Sequence, residues 1–440
     1  MTAHGTQPLR RIVVASVIGN ALEWYDFFLY GTAAALVFAP LFFPAGTDPV
    51  LGTLGAFAGF AVGFVARPLG GVLFGHIGDR RGRRHALVIT LSLMGIATFL
   101  MGLLPTYEQA GVLAPLALVL LRLVQGIASG GEWGGGVLML SENAPPGKAG
   151  FYAAWSQLGV SGGFVLSAAA FYLVQQLPAA DFMSWGWRVP FLASVVIFGV
   201  GLYIRRRLPE SRAFSEAAST SATGPTQAHL PVMQVLREHP RAVLQAMGLR
   251  VAENGGAYIF LSFSMAYASF SGLATKVVLL GVMMAMVLEA FTILFWGWLS
   301  DRIGRKPVYA FGSVALIALA FPFFWLFDTH DPALVYLALV LGLPVSHGAM
   351  IGTQPALMSE LFPTEVRYTG LALGHEIASI FAGGFAPLIA TGLFASVHSP
   401  WPVSVMLMLF GGLTCLTLLT LPSRPVYDHQ PRELPCSATN

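Results

Sequence analysis

Gly75-His76-Ile77-Gly78-Asp79-Arg80-Arg81-Gly82-Arg83-Arg84 is matched further along by Gly297-Trp298-Leu299-Ser300-Asp301-Arg302-Ile303-Gly304-Arg305-Lys306. Both read GxxxDRxGR followed by a base, and each joins two long apolar runs. Three more matches surround them. Ser141-Glu142-Asn143-Ala144-Pro145 answers to Ser359-Glu360-Leu361-Phe362-Pro363. Arg67 lies twelve residues before Asp79, and Glu289 lies twelve before Asp301. Glu23 lies twelve after Arg11, and Glu253 twelve after Arg241. The offset is roughly 220 residues each time, which marks an internal repeat. A parallel repeat of six apolar segments around a central cavity describes a transporter with two rocking halves.

Composition agrees. The chain has 440 residues, 55% hydrophobic and only 10% charged, where a soluble domain carries about a quarter charged. Such a chain cannot cover its surface in water, which excludes an ordinary cytosolic enzyme and a disordered protein. A net charge of +3 is too small for a phosphate footprint, so no nucleic-acid partner is expected. The 2 cysteines exclude a disulfide scaffold, and neither sits in a CxxC.

A spanning helix needs about 20 mostly apolar residues. Twelve segments qualify: 12–41, 52–77, 85–104, 112–140, 149–176, 187–204, 241–271, 274–299, 306–327, 332–358, 367–396 and 402–421. The first is too long for a cleaved signal peptide and holds Glu23 and Asp26 in its middle. Spanning β-barrels need alternating strands of about ten residues, and these runs are continuous. The fold class is therefore an all-α membrane protein, twelve transmembrane helices in two six-helix pseudo-repeats.

Of 24 Lys and Arg, all but five fall on one side of this topology. Arg188 and Lys276 lie opposite, and Arg67, Arg122 and Arg250 lie inside predicted helices. Positive charge marks the cytoplasmic side, so both termini are expected there. The expected domains are a first bundle over 1–204, a cytoplasmic linker over 205–240, a second bundle over 241–422 and a disordered tail over 423–440. The linker's centre, Ala217 to Ala228, is rich in Ser, Thr, Ala and Gly and reads as flexible.

GxxxDRxGR[RK] between spans 2 and 3 resembles the signature loop of the major facilitator superfamily. Gly19-Asn20-Ala21-Leu22-Glu23-Trp24-Tyr25-Asp26-Phe27-Phe28-Leu29-Tyr30-Gly31 is similar to the first helix of its metabolite:proton symporter branch. The same holds for Ala66-Arg67-Pro68-Leu69-Gly70-Gly71, Arg122-Leu123-Val124-Gln125-Gly126, Gly130-Gly131-Glu132-Trp133-Gly134-Gly135 and Ser184-Trp185-Gly186-Trp187-Arg188-Val189-Pro190-Phe191. The resemblance covers about residues 10–422. It implies a monomer in the bacterial inner membrane that moves shikimate, 2-oxoglutarate, citrate or another carboxylate, or proline or betaine, with protons. It implies no cofactor beyond the proton gradient.

Ionisable groups inside a bilayer cost roughly 2.5–3.5 kcal/mol each on insertion scales, so each needs a partner or a function. At a rise of 1.5 Å per residue, Arg67, Glu132 and Glu23 lie about 15–18 Å deep, and Arg250, Glu289 and Glu253 about 14–18 Å. Each cluster has one base and two acids, and the surplus acid is a candidate proton carrier. Asp26 sits three residues after Glu23, on a nearby face, with Arg122 as its expected partner. A carboxylate competing with Asp26 for Arg122 would couple substrate to proton, the roles that the resemblance implies for the first-helix acid and fourth-helix Arg. The alternative is a permanent ion pair locking spans 1 and 4. The proton-coupling candidates are thus Asp26, Arg122, Glu23, Glu132 and Arg67.

Candidate substrate contacts are Tyr25, Tyr30, Arg122, Trp133, Gln157, Arg250, Glu253, Asn254, Tyr258, Gln354, His375 and Glu376. An Arg can clamp a carboxylate with two hydrogen bonds. His347, near Pro344, reads as satisfying backbone opened by the proline kink. The resemblance also implies a cytoplasmic latch of Asp79, Arg83 and Glu142, with Asp301, Arg305 and Glu360 as its counterpart. No HExxH, metal-spaced Cys/His cluster, GxSxG or phosphate loop is present, so neither an enzyme nor a metal site is expected. Proton-coupled uptake of a small organic acid leads, ahead of a zwitterion carrier and then a drug exporter, whose greasy cargo suits these buried charges poorly.

Overall fold

The computed structural model describes residues 9–81, 83–130, 137–138, 140–141, 144–206, 231–363 and 366–422. Among them the chain is helical, with no strand. Span 1 runs Leu9–Ala33, passes a π-helical turn at Ala34–Phe38 and ends with Ala39–Phe42. Spans 2 to 6 are Pro49–Arg81, Arg83–Leu103, a fourth starting with Leu113–Ser129, Ala149–Val174 and Arg188–Arg206. Span 7 repeats the plan of span 1, with Pro240–Tyr258, a π turn at Ile259–Phe263 and Ser264–Ser271. Spans 8 and 9 are Thr275–Ile303 and Arg305–Asp328. Span 10 joins Pro332–Val340, Leu341–His347 and Gly348–Ser359; span 11 joins Arg367–Ser379, Ile380–Gly384 and Ala386–Val397; span 12 is Trp401–Thr420. Their middle segments, Leu341–His347 and Ile380–Gly384, are again π-helical.

Among the described residues 8 helices are long and apolar enough to cross a bilayer, and 9 when the bent pair Ala179–Gly186 and Arg188–Leu202 is taken as one broken span. Val88–Leu103 and Leu113–Ser129 are apolar but shorter. Span 7 carries Arg250, Glu253 and Asn254 mid-helix, which lowers its hydropathy below that of its neighbours. Part of the expected linker is ordered helix. Span 6 continues to Arg206, and Pro231–Glu238 forms a short amphipathic helix with Val235 buried. Residues 207–230 and the tail from 423 lie outside the described residues.

The surface is that of a protein dissolved in lipid. Leu69, Leu120, Phe291 and Leu419 point outward at 67%, 62%, 69% and 80% exposure, while the ionisable groups of the spans are turned inward. Without a hydrophobic drive between helices in lipid, close packing of small residues joins them. A side chain at Gly126 or Gly130 of span 4 would collide with the span 2 backbone at Gly63 and Arg67.

Two seams join the halves. Span 5 packs along span 1 of its own half and along span 8 of the other. Span 2 packs along span 11, with Ala61 and Phe64 against Gly384 and Leu54 against Gly392. Tyr258 of span 7 closes the centre against Phe28, Phe60 and Phe64, ring centroids 6.4, 5.4 and 5.5 Å away.

Candidate functional site

Asp26 is fully buried between spans 1, 3 and 4. Thr98 Oγ1 donates a short hydrogen bond to Oδ1, and Gln125 Nε2 donates to Oδ2 at 2.5 Å. Arg122, one helical turn before Gln125, donates from Nη1 to Gln125 Oε1 at 2.9 Å. The direct ion pair expected from the sequence is therefore replaced by a relay. Gln125 accepts from the base and donates to the acid, because its amide carries both functions. Arg122 lies over the rings of Tyr30, Phe27 and Phe60, at 4.1, 4.9 and 5.2 Å to the centroids. Its Nε and Nη2 are buried without an acceptor among the described residues. Gly63 makes room for them, since a Cβ there would stand 2.8 Å from Nη2.

A second group links the halves. Arg67 Nη2 stands 3.8 Å from Glu23 Oε1 in span 1, and Nη1 stands 3.5 Å from Glu376 Oε2 in span 11. Its guanidinium lies 4.1 Å from the Phe27 centroid and 4.6 Å from that of Phe64. Ser129 donates to Glu23 at 3.0 Å, and Glu376 is held by His375 Nδ1 at 2.9 Å. The base of the first-half cluster thus reaches across the seam, a contact that lies beyond any spacing argument.

The third group belongs to the second half. Arg250 makes a short ion pair with Glu253 Oε2 and donates to Gln354 at 2.9 Å and Ser379 at 3.3 Å. Gln354 donates to Glu253 at 3.1 Å and to Tyr309 at 2.9 Å, and Asn254 donates to Ser379 at 2.9 Å. His347 lies between two carboxyls, Nδ1 at 2.6 Å from Glu289 and Nε2 at 3.2 Å from Glu253. The expectation that His347 satisfies kinked backbone is corrected. Thr292 and Trp296 of span 8 donate to the Pro344 carbonyl at 2.9 and 3.1 Å, which frees the imidazole.

Other candidates are committed differently. Tyr25 donates to the Pro190 carbonyl at 2.8 Å, and Tyr30 to Ala56 at 3.4 Å. Gln157 donates to its neighbour Ser156 at 3.0 Å. Tyr258 presents its ring to the aromatic cluster, and its buried hydroxyl has no partner among the described residues. At the signature-loop end Arg305 joins Asp301 at 2.7 Å and Glu360 at 2.9 Å. Asp301 also accepts from the backbone N–H groups of Gly150 and Phe151, both at 2.8 Å. These are first-turn donors of span 5, so an acid of one half caps a helix of the other. Glu132, Trp133 and Glu142 lie outside the described residues, as do the side chains of Asp79 and Arg83. A cavity of about 310 Å³ lies beside this end, lined by Lys148, Tyr152, Trp298 and Arg302 among others. It is not at the buried clusters.

Long apolar helices in two matching halves, with the buried ion pairs of the mid-spans gathered at the centre and the seam, are the arrangement of a rocking carrier. Residues 17–387 match the sequence profile described as Major Facilitator Superfamily. The chain belongs to the major facilitator superfamily. Within it, the chain is 38% identical over 406 residues to the shikimate transporter of Escherichia coli (strain K12), covering 92% of each. It is 40% identical over 416 residues to the inner membrane metabolite transport protein YhjE of the same organism, covering 93% of each. It is 33% identical over 436 residues to the proline/betaine transporter of Salmonella typhimurium, covering 96% of this chain and 86% of that one. The partially occluded inward-open xylose transporter XylE of E. coli superposes with a TM-score of 0.70 at 18% identity, over 94% of this chain and 98% of that one. The chain is a membrane transporter and not an enzyme.

Within that fold, sequence reasoning missed Thr98, Gln125, Ser129, Tyr309 and Ser379. Gln125 had a signal, since it follows Arg122 by one helical turn and therefore shares its face. Ser129 had one too. It precedes Ser141 by the same twelve residues that separate His347 from Ser359, so the repeat sets Ser129 and His347 in corresponding places. Thr98 had none, because span 3 meets Asp26 only through the fold.

Proposed function

We propose that this transporter imports a small organic acid together with protons by alternating access. The observation that carries the reading is Arg122, fully buried, with two guanidinium nitrogens lacking acceptors among the described residues and one amide between it and Asp26. A buried guanidinium in that condition is costly unless an anion visits it. A carboxylate matches its paired donors. Substrate binding at Arg122 then competes with the Gln125 link, and loss of that link makes Asp26 an acid that is better kept protonated. Anion and proton thereby travel together. The shikimate transporter among the relatives supports the carboxylate class.

The bundles 1–204 and 241–422 rock about this site, joined by the linker over 205–240. Asp301 on the span 5 terminus and Arg305 on Glu360 close the cytoplasmic end, with Asp79, Arg83 and Glu142 as the first-half latch. Both chain termini face the cytoplasm of a bacterial inner membrane, following the Lys and Arg bias, and the working unit is a monomer. A zwitterion is the second reading. The Phe27, Phe60, Phe64 and Tyr258 rings around Arg67 and Arg122 make a surface that also accommodates a quaternary ammonium, and proline/betaine transporters are among the relatives.

The deciding experiment is uptake of labelled shikimate, 2-oxoglutarate, citrate, proline and betaine into proteoliposomes, with and without an imposed pH gradient. Accumulation of a carboxylate only with the gradient is the expected result. Gradient-independent uptake would refute symport, and uptake of betaine alone would replace the organic acid with the zwitterion.

A further inference from the structure

The two halves place the same positions around the same acid and fill them differently. Around Glu23 stand Arg67 of span 2 and Ser129 of span 4, at 3.8 and 3.0 Å. Around Glu253 the repeat sets Glu289 of span 8 in the place of Arg67 and His347 of span 10 in the place of Ser129. Among the described residues the first half opposes acid and base, and the second opposes two acids with an imidazole between them.

Hydrogen counting then constrains the second half. Both ring nitrogens face a carboxylate oxygen within hydrogen-bond distance, at 2.6 and 3.2 Å. An ionised carboxylate only accepts, and a neutral imidazole has one N–H. One of the two contacts would then set a ring lone pair against a carboxylate lone pair. Both are hydrogen bonds only when the group holds one proton more than neutral histidine with two carboxylates. Charge gives the same answer. Arg250 offsets one of the two buried acids, Glu253 and Glu289, and nothing else cationic touches them among the described residues. Uncompensated buried charge is expensive, and one added proton brings the group to neutrality. Imidazole is the most basic site open to it.

We propose that Glu289–His347–Glu253 is a second proton-binding site of this carrier, its proton held on His347 while Arg250 is paired with Glu253 and held more tightly when a substrate anion draws Arg250 away. The second clause rests on the organic-acid reading above; the first does not. The groups facing His347 are Glu289 from span 8 and Glu253 from span 7. Behind them stand Arg250 of span 7, Tyr309 of span 9 through Gln354, and the His375–Glu376 pair of span 11. An anion that engages Arg250 leaves both glutamates with the His347 proton as their only counter-charge, so anion and proton reinforce one another by linkage. The site lies in the opposite half from Asp26, so the two protonation events report on different bundles.

Nitrogen NMR of histidine-labelled, purified protein without substrate tests the site itself. The signal lost in His347→Gln is expected to be an imidazolium at neutral pH, and to turn into a single neutral tautomer in Glu289→Gln. A neutral His347 in the unaltered protein, or a signal indifferent to Glu289→Gln, overturns the proposal. Should either variant fail to fold, the double variant Glu289→Arg with His347→Ser rebuilds the first-half pattern. It is expected to fold and to release one proton fewer on alkaline titration than the unaltered protein; an unchanged count overturns the proposal. Coupling is read with shikimate as probe in proteoliposomes. Losing one co-transported proton lowers the accumulation ratio about tenfold for each unit of imposed pH gradient. Accumulation by His347→Gln that matches the unaltered protein sinks the coupling. If the unaltered protein accumulates none of the five probes, the organic-acid reading fails and the NMR result still decides the site.

Discussion

Asp26 in the first half and Glu253 in the second are buried alike and stabilised by opposite means. Asp26 is held by a hydroxyl and an amide, with its nearest base one residue removed. Glu253 touches a guanidinium and an imidazole directly. A carboxylate held by neutral donors changes its charge without pulling a cation after it. A carboxylate clamped by Arg250 cannot lose its charge without leaving that cation buried and alone. In the proposed scheme the first titrates, while the second keeps its ion pair and passes the variable proton to His347.

The largest predicted effect strikes the first half. Asp26→Asn preserves shape and keeps one acceptor for Thr98 or Gln125, so the protein is expected to fold and bind. Gradient-driven accumulation should fall below about a hundredth, while exchange of labelled for unlabelled shikimate persists. Normal accumulation would transfer the proton role elsewhere and erase the contrast between the halves. Glu253→Gln is expected to act the other way round, on stability first. Removing one partner of a buried pair costs about 3–5 kcal/mol, which should appear as a clear drop in the unfolding temperature of the purified protein. Adding Arg250→Gln should recover part of that loss, because the uncompensated charge goes with it. A stable single variant, or a double variant that is worse, would show that the pair is not the anchor.

The intermediate effect belongs to Gln125. Replacing it with Ala removes the amide between Arg122 and Asp26, and leaves polar atoms of both without partners. The expected loss is about 1–3 kcal/mol, or roughly fivefold to a hundredfold in the transport rate at limiting substrate. If uptake by Gln125→Ala equals that of the unaltered protein, the relay is incidental and the direct Asp26–Arg122 pair regains its place.

These contrasts also show which parts of the molecule a linear reading reaches. The repeated GxxxDRxGR loops, the twelve apolar runs and the mid-membrane Glu23, Arg67, Glu253 and Glu289 are legible because the bilayer imposes length and polarity on the chain. Partners are less legible, because a helix fixes neighbours only three or four residues apart. Arg122 with Gln125 obeys that rule and so does Arg250 with Glu253. Thr98 on Asp26 and Asp301 on the first turn of span 5 depend on how spans pack. His347 misleads for another reason. Pro344 has no N–H to give the turn before it, but the helix widens into a π turn at Leu341–His347 in which the Gly348 N–H goes to Leu343, and side chains of span 8 take the Pro344 carbonyl left open. Local proline chemistry alone cannot say which neighbour supplies the donor.

The smallest effect is predicted where the two regions touch. Arg67 reaches Glu376 at 3.5 Å and Glu23 at 3.8 Å, longer than the 2.7–2.9 Å of a strong charge-assisted bond. Glu376→Gln keeps the side chain and its length, leaves Arg67 its partner in the first half, and still offers His375 an acceptor. Its cost should stay at about 1 kcal/mol, so stability changes little. The population of open conformations should nevertheless rise up to about fivefold, because this contact exists only while span 2 and span 11 are together. Reaction of a cysteine placed at Leu54, opposite Gly392 on the same seam, measures that population without any substrate. Faster labelling in Glu376→Gln than in the parent, with Glu23→Gln lacking the same acceleration, would assign Glu376 to the seam and Glu23 to its own bundle. Equal labelling in all three proteins would mean that apolar packing alone, Tyr258 among its phenylalanines included, holds the halves closed. In that case the charges between them serve binding and not the conformational balance.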